Sequence, residues 1–219
     1  MKQYRIRIHG ESPLLMHQDN IAWGEKVRKW CKDPANRDKS MAGDDRTPAW
    51  TWLGYLYHDG KNVGMPSDNL MTMFREGGAK VPKCGKSTFK KETQAGILID
   101  QQQWDLTMGG RSVDLSTLNA LTGVEDFSEH LETVEKLGFE LLIKRAKIGA
   151  SKHVRVRPIF RQWDITGSLT ILDPSRTGIT RDVLQTILDQ AGALCGLGDW
   201  RPSSPKSPGV FGRFTAEIE

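Results

Sequence analysis

Apolar and polar residues alternate from the start of the chain. Tyr4, Ile6 and Ile8 fall on one side of an extended segment and Arg5, Arg7 and His9 on the other, the period of a half-buried strand with a basic outer face. Ser12-Pro13 ends it, because proline cannot donate to a ladder. Through residues 19–52 the periodicity fades and Gly, Pro, Asp, Lys and Trp are mixed. A long excursion with one short helix around residues 25–30 is expected there. Residues 56–63 then read as a hairpin turning at Asp59-Gly60. The stretch 65–70 reads as the start of a helix, with Ser67 set to cap N–H groups and Asp68 complementing the dipole. Leu70, Met73 and Phe74 share its inner face, and Gly77-Gly78 is expected to stop it. Residues 96–100 predict a short buried strand.

The second half is more regular. After a loop-rich middle, an acidic helix is expected near 125–137, then strands at 139–143 and 154–160 around the turn-like Gly149-Ala150-Ser151. Trp163, Ile165, Leu169 and Ile171 alternate with Asp164, Thr166, Ser168 and Thr170, the clearest strand in the chain. Thr180 is placed to cap a helix carrying Leu184, Ile187, Leu188, Ala191 and Leu194 on one side. Phe214, Ala216 and Ile218 alternate with Arg213, Thr215 and Glu217 in a last strand. The order strand, helix, strand, hairpin, strand, helix, strand predicts an α+β fold with a ferredoxin-like βαββαβ core, large insertions and a basic β-hairpin. The length of 219 residues suits a single domain over 1–219, with insertions at about 19–55, 79–95 and 101–138.

Composition narrows the setting. No apolar run approaches the roughly 18 residues of a membrane span, and the basic, alternating N-terminus has no block of signal-peptide length. Cys31, Cys84 and Cys195 are far apart and odd in number, without a CxxC. Neither a disulfide framework nor a zinc site is indicated, so a reducing cytoplasm and no membrane are expected.

The net charge is only +4, so distribution matters more than the total. Residues 80–91 carry Lys80, Lys83, Lys86, Lys90 and Lys91 with no acid among them. Residues 144–161 carry Lys144, Arg145, Lys147, Lys152, Arg155, Arg157 and Arg161, plus His153, again with no acid. Acid-free basic runs on a loop and a hairpin suit a phosphate backbone, although a solvated charged face has the same composition. Phe89, Phe160, Trp163 and Trp200 are interleaved where they could stack bases, with Trp163 in phase with core positions.

Other chemistry is weak. A phosphate loop of the form GxxxxGK[ST] ending at Gly85-Lys86-Ser87 would need glycine at position 80, where lysine stands. Gly196-Leu197-Gly198 fails a dinucleotide fingerprint because Arg201 takes the third glycine position. The five histidines (His9, His17, His58, His130, His153) lack metal-ligand spacing, and Asp44-Asp45 reads as a solvated acidic pair in a polar loop. No metal, cofactor or catalytic residue is expected. Residues 196–214 hold four glycines and three prolines between a helix and the last strand. They form either a long loop, or a backbone that approaches a ligand and offers N–H groups to phosphates.

Three separated motifs carry a resemblance. Glu11-Ser12-Pro13-Leu14-Leu15-Met16-His17 resembles the first-strand "SPL" turn of the backbone subunits of CRISPR effector complexes, members of the RAMP superfamily. The stretch 65–75, MPSDNLMTMFR, is similar to their "IPGSSLKGALR" helix start, and residues 196–214 to their C-terminal glycine-rich loop. Small phage proteins with the same GLGDWRP…GRF ending are similar as well. The resemblance implies a modified RRM-like fold whose subunits stack along single-stranded RNA as a homo-oligomer or helical filament, with other CRISPR-type subunits. Ser67 and Asn69 would touch phosphates, with the two lysine- and arginine-rich arms, Arg201 and Arg213 as further contacts. Asp68 stands where the family has a small residue. Some relatives cleave RNA with an aspartate after the first strand, and Asp19 lies in such a loop. The leading expectation is a non-catalytic single-strand nucleic-acid-binding protein, RNA before DNA. The alternatives are a metal-dependent ribonuclease using Asp19 or Asp44-Asp45, and a phage-encoded module that mimics a subunit in a protein interaction.

Overall fold

A computed structural model describes residues 1–149 and 151–219, apart from the side chain of Ile148. In chain order its elements are β1 (Lys2–Gly10), β2 (Leu14–Leu15), α1 (Ile21–Lys32), β3 (Gly64–Pro66), α2 (Ser67–Gly78), α3 (Lys90–Gly96), β4 (Ile97–Ile99), β5 (Gln103–Met108) and β6 (Arg111–Ser112). There follow α4 (Leu115–Ala120), α5 (Phe127–Leu137), β7 (Glu140–Ile148), β8 (Ser151–Phe160), β9 (Asp164–Ile171), α6 (Pro174–Thr177), α7 (Arg181–Gln190) and β10 (Phe214–Ile218). The protein is mixed α and β with antiparallel strand pairing. It divides into two compact units: Met1–Leu15, His58–Val113 and Arg161–Glu219 form the first, and Met16–Tyr57 with Asp114–Phe160 the second.

The first unit is built on an antiparallel sheet in the order β10-β1-β9-β5-β3, with β4 also on β9 and β6 on β5. Alternation produces it as expected: Tyr4, Ile6, Ile8, Ile165, Leu169, Ile171, Phe214 and Ala216 are buried. Arg5, Arg7, Thr215 and Glu217 are exposed on the other side. β4 and β5 lie end to end along β9, Ile97–Ile99 opposite Leu169–Ile171 and Asp105–Thr107 opposite Asp164–Thr166. The break between them is held by the Asp100 carboxylate, which accepts from Gln3 and Thr170. Of the short strand expected here Gly96 and Ile97 are buried, while Leu98 is 52% exposed.

Helices α2 and α7 pack together, and their buried residues (Leu70, Met73, Phe74; Leu184, Ile187, Leu188) join the core. Three local readings change. Ser67 is the first residue of α2 and not its cap; Pro66 holds that position, and the Ser67 amide donates to the Gln102 carbonyl. α2 ends at Gly78 as expected, but Gly77 and Gly78 are helical residues and not a left-handed cap, and they close the distance between helices. A Cβ at Gly77 would lie 2.7 Å from the Ile187 carbonyl oxygen, and one at Gly78 2.7 Å from Thr93. After α7, capped by Thr180 as expected, a π turn at Ala191–Cys195 adds one residue to the period. It therefore buries Cys195 and leaves Leu194 49% exposed. Around Asp59-Gly60 a single His58–Val63 bridge replaces the expected hairpin strands.

The second unit is organised around aromatic residues. Its 3-10 segment Ala49–Tyr55 is buried along almost its whole length. Trp52 meets the edge of Phe139, and Phe139 stacks on Phe160 at 4.9 Å. The Trp52 indole N–H donates to His130 Nδ1, while the Val124 carbonyl accepts from Nε2–H. The helix expected at 25–30 extends over Ile21–Lys32, capped by the Asn20 side chain, and has no buried residue. The acidic helix is α5, capped by Asp126 and closed by Gly138 in the left-handed conformation. β7 and β8 form the expected hairpin but longer, pairing from Glu140–Ile159 to Ile148–Ser151. Of its expected turn, Ala150 lies outside the described residues.

Candidate nucleic-acid interface

In the hairpin of the second unit, strand parity decides which cations face outward together. Arg145 and Lys147 of β7 share a face with Val154 and Lys152 of β8, and Lys147 lies directly opposite Lys152. Lys144, Arg145, Lys147 and Lys152 are exposed. Like charges opposite one another weaken a ribbon, so this pairing marks a place where an anion would relieve repulsion.

The inner half of the hairpin is different. Arg155 donates to Asp45 Oδ1 at 2.7 Å, and Asp45 Oδ2 accepts from the Val156 amide and the Tyr55 hydroxyl. The Arg157 guanidinium lies 5.7 Å from the centre of the Tyr55 ring. Burial and the neighbouring Asp45 carboxylate push the Tyr55 hydroxyl up to about 12, so it stays a neutral donor. Asp44 and Asp45 are buried, contrary to the solvated pair expected, because each meets an arginine. The Arg46 hydrogen bond holds the Asp44 carboxyl below its usual range.

The second arm, at 80–91, is folded and not an extended loop. Val81 and Phe89 are buried, Pro82 bridges Thr88, and Lys90 and Lys91 begin α3. Lys83 is engaged: its ammonium binds Glu92 at 2.6 Å and lies over the Phe89 ring. That contact holds the Glu92 carboxyl below its usual range. Lys86 is exposed at the tip of the turn. Lys80 and Lys90 line a recess of about 380 Å³ in the first unit with Arg75, Glu76, Cys195 and Ser203. Lys91 lines a different recess with Arg176 and Asp173.

The glycine-rich C-terminal segment meets its own chain. The Gly196 amide donates to Ala191, Gly209 to Arg201 and Gly212 to Pro13. A Cβ at Gly198 or Gly212 would collide with the Leu15 or Leu197 carbonyl. The glycines are there for close backbone packing, and those three N–H groups are not available to phosphates. Arg201 ties the segment to α2 by donating to Glu76, the Gly198 carbonyl and Ser203. Arg213 is half-buried, its amide bonded to Ser12 Oγ.

Ser67 and Asn69 are also half-buried, and the Asn69 amide donates to the Met65 sulfur. Of the four candidate stacking residues, Phe89, Phe160 and Trp163 are buried in the core. Trp200 is half-buried and stacked with Phe211 at 6.3 Å. Asp19 is exposed. Among the described residues no group of three or more His, Cys, Asp or Glu could hold a metal ion, and no helix is long and apolar enough to cross a membrane.

Sequence reasoning missed Arg75, a lone arginine on an amphipathic helix, and the wall formed by Trp23 and Tyr55 in the second unit. Four tryptophans within residues 19–52 were the available signal. No protein-family model matches the chain, and no curated protein matches it.

Proposed function

We propose that this chain is a non-catalytic protein that binds single-stranded nucleic acid, RNA before DNA, and multimerises along it. The observation that carries this reading is the exposed, acid-free end of the β7–β8 hairpin, where Lys147 opposes Lys152 and Arg145 shares their face. A backbone of phosphates neutralises such a ribbon and releases counterions in doing so. The recess bordered by Arg75, Lys80 and Lys90 supports a second set of phosphate contacts in the first unit.

The proposal includes a ferredoxin-like, RRM-like core. In its support, the strands that flank the two crossover helices α2 and α7 run β10-β1-β9-β4 and pair antiparallel throughout. The βαββαβ core has that fourth-first-third-second order. The outer sheet face carries Arg5, Arg7 and His9 on β1, without the aromatic pair by which RRM sheets stack bases. Arg5 pairs with Glu219, His9 with Asp164, and Arg7 lies opposite Glu217, so this face offers phosphates less than the hairpin does. Membership among CRISPR backbone subunits belongs to the proposal and rests on the three sequence motifs.

The test is size-exclusion chromatography of the purified full chain with absorbance at 260 and 280 nm, followed by RNase or DNase digestion of the peak. Fluorescence anisotropy with labelled single-stranded RNA and DNA comes next. A nuclease-sensitive particle, or salt-dependent binding of either oligonucleotide, supports the proposal. A clean protein peak that binds neither refutes it.

A further inference from the structure

The second unit holds a recess of about 260 Å³ at the start of α1, bordered by the Ala49–Tyr55 turn and by β8. Trp23 and Tyr55 supply aromatic walls, and Gln18, Asn20, Asp45 and Arg155 supply polar ones. Gly54 lets the Trp23 ring lie against the backbone, since a Cβ there would strike the indole. The Tyr55 ring is fixed by its hydroxyl bond to Asp45 and by the His17 edge at 4.8 Å. Asp45 is in turn fixed by Arg155 and the Val156 amide. These walls are rigid before any ligand arrives.

Two lining groups are incomplete. The Gln18 side-chain oxygen and the Trp23 indole N–H are buried without a hydrogen-bond partner. Buried polar groups are ordinarily satisfied, and both of these belong to side chains that line the recess. A flat ligand that offers one donor and one acceptor along an edge would complement them once the side chains turn toward it. Aromatic faces with an edge of alternating donors and acceptors recognise a heterocyclic base. Arg155 belongs to the basic hairpin as well: it lies on β8 three residues after Lys152, roughly 10 Å along the strand, on the ribbon face opposite to Lys152 and directly across from Lys144.

We infer that this recess is a nucleobase-binding pocket, taking one base of the strand whose phosphates lie along the hairpin. The inference rests on the nucleic-acid reading above and adds a base-contacting site to it.

The test compares a short single-stranded oligouridine RNA with an abasic counterpart carrying the same phosphates, each binding the full chain and its Gly24→Leu variant. Gly24 lines the recess, a Cβ there meets nothing within 4 Å, and leucine favours the helix. The substitution thus fills the mouth without displacing neighbours. Trp23→Phe, which keeps a ring but removes the N–H, is the second variant, and thermal melting checks that both fold. The wild type is expected to prefer the base-bearing strand by about ten- to hundredfold, the range one stacked base supplies. Gly24→Leu should abolish that preference while binding the abasic strand unchanged. Equal binding of both strands by the wild type, or equal weakening of both by Gly24→Leu, overturns the pocket and leaves the hairpin reading standing. Binding of neither strand by the wild type overturns both.

Discussion

Removing Arg145, Lys147 and Lys152 together, each to alanine, isolates the charge of the hairpin end from its fold. These three are exposed and lie on one face, Arg145 and Lys147 two residues apart and Lys147 opposite Lys152. For single strands each neutralised phosphate contributes about 0.7 to the slope of log affinity against log salt. Three lost contacts should therefore flatten the slope by about 2. Between about 50 and 200 mM salt the wild type should lose about twentyfold more affinity than the variant. The fold should not suffer. Like charges directly opposite on an exposed ribbon destabilise it, by at most about 1 kcal/mol and less in physiological salt. The triple variant should consequently melt at the wild-type temperature or slightly above it. The assay is anisotropy of a labelled oligonucleotide titrated at several salt concentrations, beside a thermal melt. An unchanged slope with an unchanged melt removes the hairpin from the interface and refutes the reasoning.

Further outcomes follow from the packing and titration of the two units. Gly167→Ala places a Cβ against the buried Trp104 ring; overpacking of this kind costs about 1–3 kcal/mol. The melting temperature should fall by several degrees, and an unchanged melt would mean that the ring can move aside. Burial holds the His130 pKa below its usual 6.5. As pH falls through 6.5 the unfolded chain takes up its proton first, so stability drops toward the folded value with a slope approaching about 1.4 kcal/mol per pH unit. His130→Gln keeps an acceptor for Trp52 and a donor for Val124, and denaturant melts at several pH values should lose that component. Cys84 is exposed, Cys31 half-buried and Cys195 buried with its thiol pushed up by burial. Thiol titration should therefore show Cys84 reacting first and Cys195 only on unfolding; a fast-reacting Cys195, identified by peptide mapping, would contradict the packing of the π turn.

The parts of the fold that were legible in the sequence are those where one face is buried and one is wet. β1, β9 and β10 alternate because helices cover only one side of their sheet, and Thr180 caps α7 because its side chain reaches the Val183 amide. The second unit hid for two opposite reasons. Ala49–Tyr55 is buried nearly all round, so it has no polar phase to betray a period. α1 buries nothing, so it has no apolar stripe. Gly77-Gly78 marked the end of α2, but composition shows a missing side chain without showing what fills its place, here the elements packed against that helix end.

The candidate site was legible as charge and illegible as partnership. Acid-free windows grouped all the cations of each arm alike, yet Arg155 finds Asp45 110 residues away in sequence, and Arg201 finds Glu76 125 residues away. Lys83 meets Glu92 just beyond the end of its window. Such pairs neutralise a cation before any ligand arrives, and displacing the acid would offset what a phosphate contributes. At the hairpin end antiparallel pairing sets Lys147 against Lys152. Folding has thus sorted one continuous basic run into an inner half that fixes Tyr55 and an outer half whose charge is opposed by its own kind. On the proposed reading a polyanion would gain most from the outer half, and the inner half would hold the adjoining aromatic wall in place for a base.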